Sequence, residues 1–142
     1  MIKLETGVAL GAFALHALFV AYMASFYIAL SKPFEVTGIL LTYQSLLVGV
    51  FISGIPGFGL AIVAYILSKR SLSRIVSMIL IAQGVLMPAG MAYASMLSNN
   101  INPEYKSFEL LITPLIFLVA GFLMIGLGVH LSRLKPIKRR TM

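Results

Sequence analysis

The chain has 142 residues, 60% of them hydrophobic and 11% charged, with a mean hydropathy of +1.01 and a net charge of +7. A soluble domain is nearer half apolar and about a quarter charged, so composition excludes both a soluble globular domain and a disordered chain. The lack of cysteine excludes disulfides, thiolate metal sites, iron–sulfur clusters and thiol redox chemistry, and two histidines with four acidic residues leave little acid–base equipment.

The first predicted element is the run Gly7–Leu30, 24 residues without Asp, Glu, Lys or Arg. About 20 apolar residues cross the roughly 30 Å of a bilayer core as a helix, the form that satisfies its own backbone in lipid. A cleavable signal sequence has an apolar stretch of only about 7–15 residues. The run is therefore expected to be a retained span, with Lys3 the single basic residue ahead of it. Small residues recur along it at steps of four: Gly7 and Gly11, then Ala17, Ala21, Ser25 and Ala29. Such rows let helices approach closely where lipid supplies no hydrophobic push. His16 lies about 14 Å inside the edge of this span by helix rise.

The second run, Gly38–Leu67, has 30 residues. It would reach about 45 Å as a straight helix, more than a bilayer core needs. Its middle reads Ser53-Gly54-Ile55-Pro56-Gly57-Phe58-Gly59. Pro56 removes a backbone N–H and clashes with the carbonyl of Ile52, so a kink or a short unwound turn is expected there. The favoured reading is a proline kink sealed by neighbouring helices. The alternative is a set of exposed carbonyls lining a cavity, as in broken transporter helices. Gly49, Ser53, Gly57 and Ala61 form a second small-residue row. Thr42, Tyr43, Gln44 and Ser45 are read as interfacial residues that absorb the excess length.

The third run is Ile75–Leu97 and the fourth Leu110–Leu131, of 23 and 22 residues. Gln83 falls at a depth similar to His16, so the two can meet as a structural polar pair, or Gln83 can bond a carbonyl freed by Pro56. Pro88 and Pro114 are expected as kinks or helix-entry residues. Met87 and Met91, four apart on one helix face, offer thioethers of the kind that suit Cu(I). Their spacing resembles the Met-x-x-x-Met pair of the copper-transporter family, whose Met-rich external tail and Cys/His end motif this chain lacks. Core packing is the favoured reading for these methionines, which with Met78 and Met96 fill gaps. A Gly-Phe pair followed by Leu-Ser-Lys/Arg occurs at Gly57–Lys69 and again at Gly121–Arg133, a shared helix-exit pattern rather than a duplication.

The loops predict orientation. Residues 1–6, the 68–74 loop and the tail from Ser132 carry Lys3, Lys69, Arg70, Arg74, Arg133, Lys135, Lys138, Arg139 and Arg140. The opposite loops carry Lys32 and Lys106 with Glu35, Glu104 and Glu109. The positive-inside rule then places both termini in the cytoplasm. The basic residues sit at span ends, where they fix topology and meet anionic headgroups, so nucleic-acid binding is not expected. Tyr27, Tyr43, Tyr93 and Tyr105 are expected in an aromatic belt at the outer boundary, Tyr65 and His130 at the inner one. The outer loop, rich in turn residues at Asn99, Asn100, Asn102 and Pro103, holds no N-x-Ser/Thr acceptor.

The expected fold is an all-α integral membrane protein: one four-helix transmembrane domain over residues 1–142, with spans 7–30, 38–67, 75–97 and 110–131, cytoplasmic termini, a second helix kinked at Pro56, and a short basic tail at 132–142. No catalytic constellation is visible in the spacing. Four-span small multidrug exporters use a membrane glutamate, four-span disulfide-generating enzymes use cysteines, and four-span cytochromes use several membrane histidines; none of these patterns is present. His16 and His130 differ in depth by roughly 10–14 Å of helix rise, too far for one chain to ligate a haem with both. No cofactor or metal is expected. The leading expectation is a non-catalytic accessory subunit of a larger membrane complex, such as a membrane oxidase, a copper-dependent monooxygenase or a respiratory assembly. Its partners would be the lipid bilayer and other membrane subunits or further copies of itself. The alternative is a small homo-oligomeric channel or transporter for a neutral solute or ion. The candidate intramembrane polar and helix-packing residues are His16, Gln83, Gly54, Pro56 and Gly57, with Gly7, Gly11, Ala17, Ala21 and Ser25.

Overall fold

A computed structural model describes residues 3–31, 47–101, 103 and 108–134. The described residues form four helices, each long and apolar enough to cross a membrane: α1 Leu4–Ser31, α2 Leu47–Ser71, α3 Arg74–Ser98 and α4 Phe108–Arg133. They contain no strand. The chain is thus a multi-pass helical bundle of the membrane type. The first part of the expected second span, the Thr42–Ser45 cluster, Tyr105 and the tail beyond Leu134 lie outside the described residues.

The buried positions follow heptads. On α4 they are Leu110, Phe117, Met124 and Leu131 in one series and Pro114, Gly121 and Gly128 in the other. On α1, Ala9, His16, Met23 and Leu30 alternate with Ala12, Phe19 and Phe26. A seven-residue repeat keeps one seam facing its neighbour and corresponds to the gently crossed packing of most membrane bundles. α3 and α4 pack most extensively, and glycines are the reason. A Cβ on Gly84 would lie 2.6 Å from the backbone nitrogen of Ile125, and one on Gly121 would lie 2.5 Å from Pro88 Cδ. Ser77 Oγ donates to the Gly128 carbonyl at 2.7 Å across the same seam. α1 sits between α2 and α3, whereas α2 touches α4 only sparsely.

The α2–α3 hairpin turns on two residues. Leu72 caps α2 in the left-handed region, φ 53° and ψ 42°, with its N–H on the Ser68 carbonyl. Ser73 then caps α3, its hydroxyl accepting from the Val76 N–H. A leucine at a left-handed position is strained, because its Cβ crowds the following carbonyl.

α2 does not unwind around Pro56. Val50–Gly54 forms a five-residue π-helix in which the Ile55 N–H bonds the Val50 carbonyl, and Pro56 enters at the start of the α-helical stretch Ile55–Ser71. The wider turn shifts the hydrogen-bond register by one residue, so the proline, which has no N–H to give, falls where a helix start tolerates it. Ser53 Oγ returns a hydrogen bond to the Gly49 carbonyl at 2.8 Å.

Candidate functional site

His16 on α1 and Gln83 on α3 are both fully buried and are hydrogen-bonded to each other, Gln83 Nε2 to His16 Nδ1. Each lies in the heptad seam of its helix, which is why the polar group points inward rather than toward lipid. α2 supplies the third wall. The ring of Phe58 meets the imidazole edge-on, with centroids 4.4 Å apart at 62°. Gly57 makes the approach possible: a Cβ there would lie 2.7 Å from His16 Cδ2 and 2.8 Å from Nε2. His16 Nε2 has no hydrogen-bond partner among the described residues.

Gln83 Oε1 likewise has no partner among the described residues. With the amide donating, neutral His16 carries its proton on Nε2. With the amide turned over, the roles exchange. Either assignment leaves two N–H donors and one acceptor atom over. The pair therefore ties α1 to α3, with α2 closed over it, and retains hydrogen-bonding capacity that the bundle does not use.

The other residues singled out in the sequence distribute as follows. Gly54 and Gly57 are buried with Gly49, Ser53 and Ala61, so the α2 row faces the bundle interior; Pro56 is exposed. The α1 row turns outward. Gly7 has open space where a Cβ would stand, Gly11 is in ordinary contact with Leu60 at 3.8 Å, Ala17 is half-buried, and Ala21 and Ser25 are exposed. Ala21 and Ser25 line a shallow groove of ≈ 410 Å³ with Leu18, Tyr22, Ile52 and Ser53.

His130, exposed near the end of α4, is not near His16. It is hydrogen-bonded through Nδ1 to the Tyr65 hydroxyl of α2 at 2.7 Å. Among the described residues no three of His, Cys, Asp or Glu gather as metal ligands. Met87 and Met91 are fully buried in one apolar cluster with Met23, Phe19, Phe26 and Tyr27, whereas Met78 and Met96 are exposed.

Tyr27, expected in the outer aromatic belt, is instead fully buried, its hydroxyl donating to the Leu110 carbonyl. A feature not singled out in the sequence is a cleft of ≈ 450 Å³ between α2 and α4, walled by Leu47, Val50, Ile55 and Phe58 on one side and by Glu109, Ile112, Thr113, Ile116, Phe117 and Ala120 on the other. Phe58 stacks on Phe117 at 5.8 Å and 28° to form its floor. Both follow from helix-to-helix register, which the sequence of any one span does not carry.

No protein-family model, curated protein or solved structure matches this chain.

Proposed function

We propose that the chain is a non-catalytic accessory subunit of a larger membrane complex, embedded in the cell membrane with both termini in the cytoplasm. The observation that carries this reading is how the polar interior is used. His16 and Gln83 bond each other at full burial under Phe58, so the central polar groups hold helices together. Outside, α1 presents Ala21 and Ser25 beside Leu18 and Ile52, a shallow face that suits a partner helix. Basic residues at Lys69, Arg70, Arg74 and Arg133, on the side of the bundle that also holds Lys3, support the orientation. The π-helix at Val50–Gly54 supports a bend of α2 at Pro56, since π-turns and prolines are the usual causes of sharp kinks.

The test is site-specific photocrosslinking in native membranes. A photoreactive residue at Ala21 should capture one discrete membrane protein of another sequence. The same residue at Leu123, on the lipid-facing side of α4, should not. Equal capture at both positions, or capture only of further copies, would count against the reading.

One observation favours a second reading, a homo-oligomeric channel or transporter: His16 Nε2 and Gln83 Oε1 have no partner among the described residues, and the His16 ring packs on Gly57, three residues past the π-helix. It predicts solute flux into liposomes from the pure protein, altered by Gln83→Leu or Pro56→Ala. Liposomes as tight as protein-free ones would remove it.

A further inference from the structure

We propose that the α2–α4 cleft is a binding site for one acyl chain of a phospholipid with an ammonium headgroup, held with its headgroup against Glu109. The proposal is independent of the accessory-subunit reading.

The length of the cleft selects the occupant. α2 and α4 run in the same direction, Phe58 meeting Phe117 and Tyr65 meeting His130, and the cleft is lined from Leu47 to Phe58 on α2 and from Glu109 to Ala120 on α4. Eleven residues of helix rise make about 16 Å, close to half of a bilayer core of about 30 Å. The cleft therefore spans one leaflet, from its headgroup boundary to the midplane. It ends there because Phe58 stacks on Phe117, and farther along the same seam Tyr65 is bonded to His130. That length matches an acyl chain lying in one leaflet.

Chemistry selects the headgroup. The walls below the mouth are apolar, and the one charged residue among them, Glu109, stands at the headgroup end. Thr113 Oγ1 bonds the Glu109 carbonyl at 2.6 Å, which occupies the nearest hydroxyl and leaves the carboxylate as the polar group of the mouth. An anionic mouth over an apolar slot complements a cationic head on an apolar tail. A primary ammonium, as in phosphatidylethanolamine, can also donate hydrogen bonds to the carboxylate, which a quaternary ammonium cannot. Phosphatidylglycerol, with no cation, is disfavoured.

The chain has no tryptophan, so a single introduced one reports its own surroundings. Ile55, at the rim and 50% exposed, takes the reporter, and Leu123, 67% exposed, takes the control. Full-length Ile55→Trp and Leu123→Trp proteins are placed in phosphatidylcholine bilayers. Brominated-chain phosphatidylethanolamine, phosphatidylcholine or phosphatidylglycerol is then titrated and fluorescence quenching is read.

At Ile55→Trp the expected result is a preference for phosphatidylethanolamine over phosphatidylglycerol of about threefold, on the scale of an exposed ion pair. At Leu123→Trp no preference is expected. Adding Glu109→Gln should erase the preference while chains still quench, and adding Ala120→Phe, which fills the floor, should reduce quenching at Ile55→Trp by every lipid. Equal preference at both reporters, a preference that survives Glu109→Gln, or a reporter shielded from all lipids by another stretch of protein or a second copy would overturn the proposal.

Discussion

The hydroxyl of Tyr27 on α1 donates to the carbonyl of Leu110 on α4, the carbonyl one helical turn before Pro114. In an uninterrupted helix the residue at 114 would donate its N–H to that oxygen, and proline has none to give. A side chain from another helix bonds that oxygen, and the first turn of α4 is tied to the last part of α1. Tyr27→Phe should destabilise the bundle by about 1 kcal/mol. In a Pro114→Ala background, where the backbone can serve Leu110 itself, the same change should cost clearly less. Unfolding in bicelles measures both, and strictly additive effects would refute the link.

The His16–Gln83 bond makes a second cycle. Gln83→Leu or His16→Leu alone strands a buried polar partner, a loss of about 1–3 kcal/mol. The double variant removes both and should be less damaging than the sum of the two. A double variant as damaging as that sum would mean that the side chains do not act as a pair.

Gly57 tests how tightly α2 lies on the imidazole. Gly57→Ala would press a methyl to within 2.7 Å of His16 Cδ2, whereas Gly59→Ala meets nothing within 4 Å. The first should cost about 1–3 kcal/mol as an overpacked contact. The second should be neutral or stabilising by up to about 1 kcal/mol, because alanine is the better helix former. Thermal unfolding of the two in one detergent gives the comparison, and equal shifts would contradict it.

The four spans were legible in the sequence because length and lack of charge are properties of a single segment. The meeting of His16 with Gln83 was legible for a related reason: polar groups in lipid seek each other at equal depth. Which face of each span turns inward was not legible. Membrane helices are apolar all round, so no amphipathic stripe marks the seam. The outward-turned residues Gly7, Ala21 and Ser25 and the buried row of Gly49, Ser53, Gly57 and Ala61 read alike as sequence. The close approach of α3 and α4 rests on Gly84, Gly121 and Gly128, of which Gly121 and Gly128 share a spacing of seven rather than four. That heptad spacing was the signal available for the seam. Pro56 announced a disturbance of α2, but the π-turn that accommodates it depends on the neighbours of the helix as well as on the proline.

The hairpin between α2 and α3 offers a stabilising change. Leu72 holds φ 53°, a conformation that glycine adopts at little cost. Leu72→Gly should raise stability by about 1 kcal/mol, offset in part by the freedom glycine adds to the unfolded chain. A lower midpoint of thermal unfolding would show that the leucine side chain contributes more than its backbone strain costs.

Native mass spectrometry of gently extracted membranes tests the proposed role most directly. An accessory subunit should leave the bilayer in a particle whose mass includes at least one other membrane protein in fixed ratio, and should lose that partner when Ala21 is replaced by Trp. A lone monomer, or an assembly of this chain alone, would contradict the account.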